Sequence, residues 1–177
     1  MASAKKVRIV RSIAFPKLIL KPNFGQSRQR AKGAISKGMM NSRNIIKTSL
    51  SEALQRSLKT SVWAWPRSTV RQSGGTAGSP RDIFDTGKLS RSQKVVTNYS
   101  GGSLMVNIKY SAPYASIVHY GGTHRPYGDE SRPLQLLPAR PWIYATVTGT
   151  YGITKYDMKS HLETAIKNEW LARFNAY

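Results

Sequence analysis

The sequence has no cysteine, which excludes disulfide frameworks and thiolate metal sites. It has no run of about 18 apolar residues, so no membrane-spanning helix is expected. Residues 13–20 are apolar in part, but Pro16 and Lys17 interrupt them and make a poor hydrophobic segment for a secretory signal. Acidic residues are scarce: 8 Asp and Glu stand against 28 Lys and Arg, a formal net charge of +20. None precedes Glu52, whereas Lys5, Lys6, Arg8, Arg11, Lys17, Lys21, Arg28, Arg30, Lys32, Lys37, Arg43 and Lys47 all do. A surface so one-signed repels itself unless an anionic partner screens it. Nucleic acid and an acidic protein neighbour both meet that need, and charge alone does not choose between them. Lys5, Lys6, Arg8, Arg11, Arg28, Arg30 and Lys32 are the candidate contacts to such a partner.

What is present is enough for one compact domain: 177 residues bury a real core without covalent staples. Residues 1–32 mix scattered apolar positions with Pro16, Pro22 and many cations. A short strand over Val7-Arg8-Ile9-Val10 and Ile13-Ala14-Phe15 is one reading; a basic arm that orders on a partner is preferred. From about residue 31 to 60, Ile35, Met39, Ile46, Leu50, Ala53 or Leu54, and Leu58 recur at helical spacing, with core filling expected of the Met39-Met40 pair. Val62-Trp63-Ala64-Trp65 reads as a short strand with both indoles on one face. Packing is favoured for them over stacking on nucleic-acid bases.

Residues 67–81 are rich in Gly, Ser and Pro and read as an exposed loop. The Lys-Ser/Thr pair and helix of a phosphate-cradling P-loop are missing, but Arg67, Arg71 and Arg81 offer anion contacts. Asp85-Thr86-Gly87 matches the triplet of aspartic proteases on its face. Such a protease needs two carboxylates sharing a proton, so a turn is favoured, with Gly87 supplying unusual dihedrals and Asp85 accepting amide hydrogen bonds.

Residues 94–99 and 103–110 flank Gly101-Gly102 as a hairpin, and Leu104, Val106, Ile108 and Tyr110 alternate along its second strand. A short helix is expected from Tyr114 through Ile117 and Val118 to a stop at Gly121-Gly122. His119 is read as structural. His124, Asp129 and Glu130 have no strong metal spacing, and neither a metal nor a cofactor is expected. Residues 142–147 fit either a strand or a helix start, broken by Gly149 and Gly152. Met158, Leu162, Ala165 or Ile166, Trp170 and Phe174 form a second amphipathic helix, with Thr154 and Asp157 as candidate caps. The fold class is therefore α+β: an antiparallel sheet packed against a long helix in the N-terminal half and a C-terminal helix, with long loops. The basic arm covers residues 1–32 and a single domain residues 33–177.

Three segments carry a family resemblance: Asp85-Thr86-Gly87-Lys88-Leu89; Tyr114-Ala115 with His119-Tyr120-Gly121-Gly122-Thr123; and Ala139-Arg140-Pro141-Trp142. Their order between two helices resembles the tail-completion, or neck, proteins of long-tailed bacteriophages, over roughly residues 30–175. The resemblance implies a virion structural protein without enzymatic activity, made in the bacterial host cytoplasm. It implies a homo-oligomeric ring, expected as a hexamer, at the head–tail junction. Its partners would be connector or adaptor proteins on one side and tail-tube or terminator proteins on the other, with non-specific contact to packaged DNA. A closed ring needs a heterologous interface. Arg67, Arg71, Arg81, His124, Arg125, Tyr127 and Arg132 are the candidate interface residues. Gly87, Tyr114, Gly121, Gly122, Pro141 and Trp142 form the expected structural hub.

A tail terminator capping the tube fits the same pattern. So does a basic nucleic-acid-binding protein, motivated by the net charge of +20 and by Trp63, Trp65, Tyr110 and Tyr114, although no helix-turn-helix, zinc-finger or RNP signature is present. A hydrolase built on Asp82, Asp85, His119 or His124 is the least favoured reading.

Overall fold

The computed structural model describes residues 8–13, 25–65, 68–100, 102–125, 130–131 and 133–174, with side chains from Arg28 to Arg173. Seven strands and five helices are arranged as an α+β fold among these residues. The strand β1 (Arg8–Ile13) pairs beside β5 (Ser103–Tyr110), whose other neighbour is β4 (Gln93–Ser100). Part of the stretch expected as an arm is thus a strand. The helix α1 (Gly25–Lys59) also begins inside that stretch. Of the cations expected on the arm, Lys5 and Lys6 lie outside the described residues.

The span expected as a single domain gathers into two compact units, and α1 and the β4–β5 hairpin contribute to both. The second unit contains α1 up to Leu50, residues 95–107 and the helix α5 (Met158–Phe174). Here Met39, Ile46 and Leu50 of α1 are buried, as the helical spacing predicts, while Met40 is exposed. Gly38 brings α1 against α5: a Cβ there would stand 2.7 Å from the Ile166 Cα. Lys37 and Asn41 of α1 both reach Glu169, at 3.6 and 2.6 Å. Arg43 donates to the Thr97 carbonyl at 3.2 Å and ties α1 to β4. The α5 start is capped by Asp157, whose Oδ1 accepts the Ser160 amide at 3.1 Å, a bond that satisfies one of the orphan donors of a helix N-terminus. Leu162 and Ala165 are buried, but Trp170, expected on the same stripe, is exposed.

The first unit contains residues 51–94 and 108–156. Leu54 and Leu58 continue the buried face of α1. Trp63-Ala64-Trp65 does not form the expected strand. It makes one antiparallel bridge, Trp63 to Arg81, because no further partner chain runs beside it among the described residues. Trp63 is buried against Tyr151, with ring centroids 5.2 Å apart, so its indole is not free to stack on a base. The Gly/Ser-rich stretch is more ordered than the expected loop. Thr69–Val70 (β2) and Thr76–Ala77 (β3) pair in a small antiparallel hairpin around Gly74, whose φ is +89°. The short helix α2 (Lys88–Arg91) follows Gly87.

After β5 come α3 (Ala115–Tyr120), β6 (Gly122–His124), β7 (Gln135–Leu137) and α4 (Trp142–Thr148). The ambiguous stretch at residues 142–147 is helical because Trp142, Ile143, Ala145 and Thr146 all bury together, a spacing that only a helix places on one face.

Candidate functional site

The centre of the first unit is a packed aromatic and glycine cluster. Tyr110, at the end of β5, turns its ring edge-on to Trp142, with centroids 5.2 Å apart at 90°. The Tyr110 hydroxyl donates to Gln93 Oε1 at 2.9 Å, and Gln93 Nε2 donates to the Ser51 carbonyl and hydroxyl at 3.0 and 2.6 Å. Burial pushes the Tyr110 phenol above its ordinary range. His119, on α3, packs edge-on to the same indole at 4.7 Å. Burial lowers its pKa to about 4, so the ring is neutral at physiological pH, and its Nδ1 finds no hydrogen-bond partner among the described residues. A buried, neutral imidazole between Tyr120 and Trp142 is a packing element.

The Gly121 amide donates to the Ile117 carbonyl at 2.9 Å and ends α3. The chain then runs as β6 against β7, with Gly122 opposite Leu137, Thr123 opposite Leu136 and His124 opposite Gln135. The Arg140 amide donates to the Val118 carbonyl at 3.1 Å and brings Pro141-Trp142 back onto α3. Gly87, Tyr114, Gly121, Gly122, Pro141 and Trp142 thus lie in this one unit.

Beside the cluster opens a cleft of about 260 Å³, lined by residues of the Asp85-Thr86-Gly87-Lys88-Leu89 segment together with Arg81, Tyr114, Val118 and Arg140. Two carboxylates brace the segments around the cleft, and of these Asp85 lines it. Arg71 bonds the Phe84 carbonyl and pairs with Asp82 at 2.7 Å. The amides of Gln72 and Ser73 donate to Asp85 at 3.0 and 3.2 Å. Desolvation raises the Asp85 pKa, but the Ser73 side chain, these two amides and Arg71 outweigh it and hold the carboxyl below its ordinary range. Asp85 therefore accepts amide hydrogen bonds, from the tip of the β2–β3 hairpin rather than from its own turn.

Cations line the cleft as well, Arg81 and Arg140 among them. Arg81 donates to Thr69 Oγ1 at 2.5 Å, and its guanidinium lies 5.0 Å from the Trp65 ring centroid. The Arg140 guanidinium lies 4.8 Å from the same centroid. Arg140 is 7% exposed, and no carboxylate pairs with it among the described residues. Desolvation, then the nearby Arg81, lowers its pKa to about 10 against a smaller opposing pull from Asp82. The Arg81 pKa is lowered by desolvation and then by Arg71, against Asp82 and Asp85.

Of the expected interface residues, Arg71 and Arg81 are half-buried in the unit's own bonding rather than free on a loop. His124 is half-buried in β6, and Arg125 is exposed and donates to the Glu130 carbonyl at 2.6 Å. Arg67, Tyr127 and Arg132 lie outside the described residues, as does Asp129. Arg28, Arg30 and Lys32 are exposed on α1, and Arg8 and Arg11 lie in β1 with side chains outside the described set. No group of three or more His, Asp or Glu is placed to hold a metal among the described residues. Sequence reasoning missed Lys88 and Arg140 as charges of the cleft. Arg140 stood in the open inside a quoted segment, but nothing in Ala139-Arg140-Pro141 signals that its side chain is buried.

Comparison with protein-family models, with curated proteins and with solved structures finds no match.

Proposed function

We propose that the chain is a structural subunit of a tailed-bacteriophage virion, a ring protein at the head–tail junction that completes the tail and joins it to the connector. One observation carries this reading. The three segments behind the family resemblance, far apart in sequence, pack into one unit: Asp85 to Leu89 lines the cleft, His119 meets Trp142, and Arg140 bonds Val118. Shared packing explains why such segments would travel together in a scaffold. From that scaffold Leu134, just before β7, and Leu136 on it stand at 61 and 74% exposure, and Tyr120, at the end of α3 two residues before β6, at 61%. Exposed apolar side chains on and beside one hairpin suit a contact with a second copy of the chain. Ring closure by a heterologous contact would bury that hairpin on a different patch of the neighbour. The charge of +20 suits a place beside DNA or an acidic connector.

The test is deletion of the gene from its phage genome, followed by electron microscopy of the lysate. Full heads and separate tails that fail to join are expected. Abnormally long tails would assign the chain to tail termination instead, and normal infectious particles would overturn both roles.

A further inference from the structure

The cleft beside Trp65 holds an imbalance that the protein's own residues do not resolve. Arg81, Lys88 and Arg140 line it against the single carboxylate of Asp85, and Asp85 is already engaged by the Gln72 and Ser73 amides. Arg140 is 7% exposed, and its Nε and that of Arg81 are buried without a hydrogen-bond partner among the described residues. The two guanidiniums lie within 5.0 Å of one indole centroid, close enough to repel each other. Burying a guanidinium without a counter-charge is costly, and a guanidinium fork is shaped to take two oxygens of one anion. Thr86 and Ser90, both hydroxyl-bearing residues, also line the cleft. Its volume of about 260 Å³ falls below the ~300–1,000 Å³ of sites for drug-sized ligands and suits one compact group.

We infer that this cleft is a phosphate-binding site, in which Arg140, Arg81 and Lys88 hold one phosphoryl group with Thr86 and Ser90 as further donors. Phosphate is preferred to a carboxylate by charge: three cations against one carboxylate leave an excess of two positive charges, which a phosphate dianion matches. The group comes either from a small phosphorylated molecule or from the backbone of a nucleic acid, and the two share this chemistry. The inference stands apart from the virion role, since a phosphate site would exist in the isolated chain.

The test titrates the full-length protein with inorganic phosphate by calorimetry, at ionic strength held constant with sodium chloride. One saturable site is expected. Lys88→Gln should weaken it about tenfold, as should Arg140→Gln, because each removes a charge-assisted hydrogen bond. Lys109→Gln removes the same charge from an exposed position on β5 and should change affinity less than twofold. Arg140→Gln alters a buried position, so Lys88→Gln, at an exposed position of α2, decides the matter if the former misfolds. Heat that never saturates, or affinity reduced equally by Lys109→Gln, overturns the site. A second arm uses a short DNA duplex. Competition by phosphate together with selective weakening by Lys88→Gln assigns the phosphoryl group to the nucleic-acid backbone. Duplex binding indifferent to Lys88→Gln, with the phosphate site intact, assigns it to a small molecule.

Discussion

The imidazole of His119 stands edge-on to the indole of Trp142, with centroids 4.7 Å apart at 88°. The contact joins α3 to α4 through a residue that must remain neutral. Burial holds the folded pKa at about 4, against 6.5 for the free side chain. Above the free value both folded and unfolded chains carry a neutral ring, and His119 adds no pH dependence. Between 6.5 and about 4 the unfolded chain binds a proton that the folded chain refuses, so stability falls as pH falls. The full loss is about 3 kcal/mol. Urea melts of wild type and His119→Phe across that window should diverge, the variant losing less stability as pH drops. Parallel curves would mean that His119 is not desolvated in solution.

Gly121 ends α3 with φ 75° and ψ 179°, a conformation that side chains rarely adopt. A Cβ there would meet the Ala139 nitrogen at 2.8 Å and the Leu137 oxygen at 2.9 Å, both backbone atoms that cannot step aside. Gly121→Ala should therefore cost ~1–3 kcal/mol from the backbone conformation alone, and more from the clash. Gly38→Ala has opposing terms. Alanine improves helix propensity by about 1 kcal/mol, but the methyl group would sit 2.7 Å from the Ile166 Cα and force α1 and α5 apart. The clash should win, so chemical denaturation should show Gly38→Ala less stable than wild type. A more stable variant would place α5 farther from α1 than the structure has it.

Of these two glycines, the helix stop at Gly121 was legible in the sequence and the close approach of Gly38 to Ile166 was not. The periodicity of Met39, Ile46, Leu50, Leu54 and Leu58 specified α1, and the alternation of Leu104, Val106, Ile108 and Tyr110 specified β5, because burial on one face writes a repeat into the chain. The stop at Gly121 was legible for a different local reason, since glycine readily takes the positive φ that ends a helix. The β2–β3 hairpin was not: its strands are two residues each, too short for any alternation, and are set by long-range bonds such as Gln72 to Asp85. The cleft was half legible. The Asp85-to-Leu89 and Ala139-to-Trp142 segments stood out, but that Arg81 and Arg140 converge on Trp65 is a tertiary fact with no local signature.

Tyr110 links two elements by a relay through Gln93 to Ser51. Tyr110→Phe keeps the ring against Trp142 and removes only the hydroxyl, leaving Gln93 Oε1 short of its donor. The expected cost is about 1–2 kcal/mol, read as a lower urea midpoint with an unchanged slope. An unchanged midpoint would show that water replaces the hydroxyl and that the relay adds nothing.

Leu136 separates folding from assembly. At 74% exposure it faces solvent on β7, opposite Thr123 of β6, so its side chain contributes little to the subunit's own core. Leu136→Asp should leave the melting of the isolated chain within about 0.5 kcal/mol of wild type, as surface substitutions do. If the hairpin inserts into a neighbouring copy, the same change places a carboxylate in an apolar contact, where an unpaired charge is strongly disfavoured. Sedimentation velocity should then show oligomers of the wild type and monomers of the variant, and a phage carrying the variant gene should accumulate unjoined heads and tails. Because the folded subunit is unchanged, that defect could not be assigned to misfolding. Oligomers that persist in Leu136→Asp would exclude this hairpin from the proposed contact between copies and shift the search to the exposed face of β5, where Met105 is also accessible.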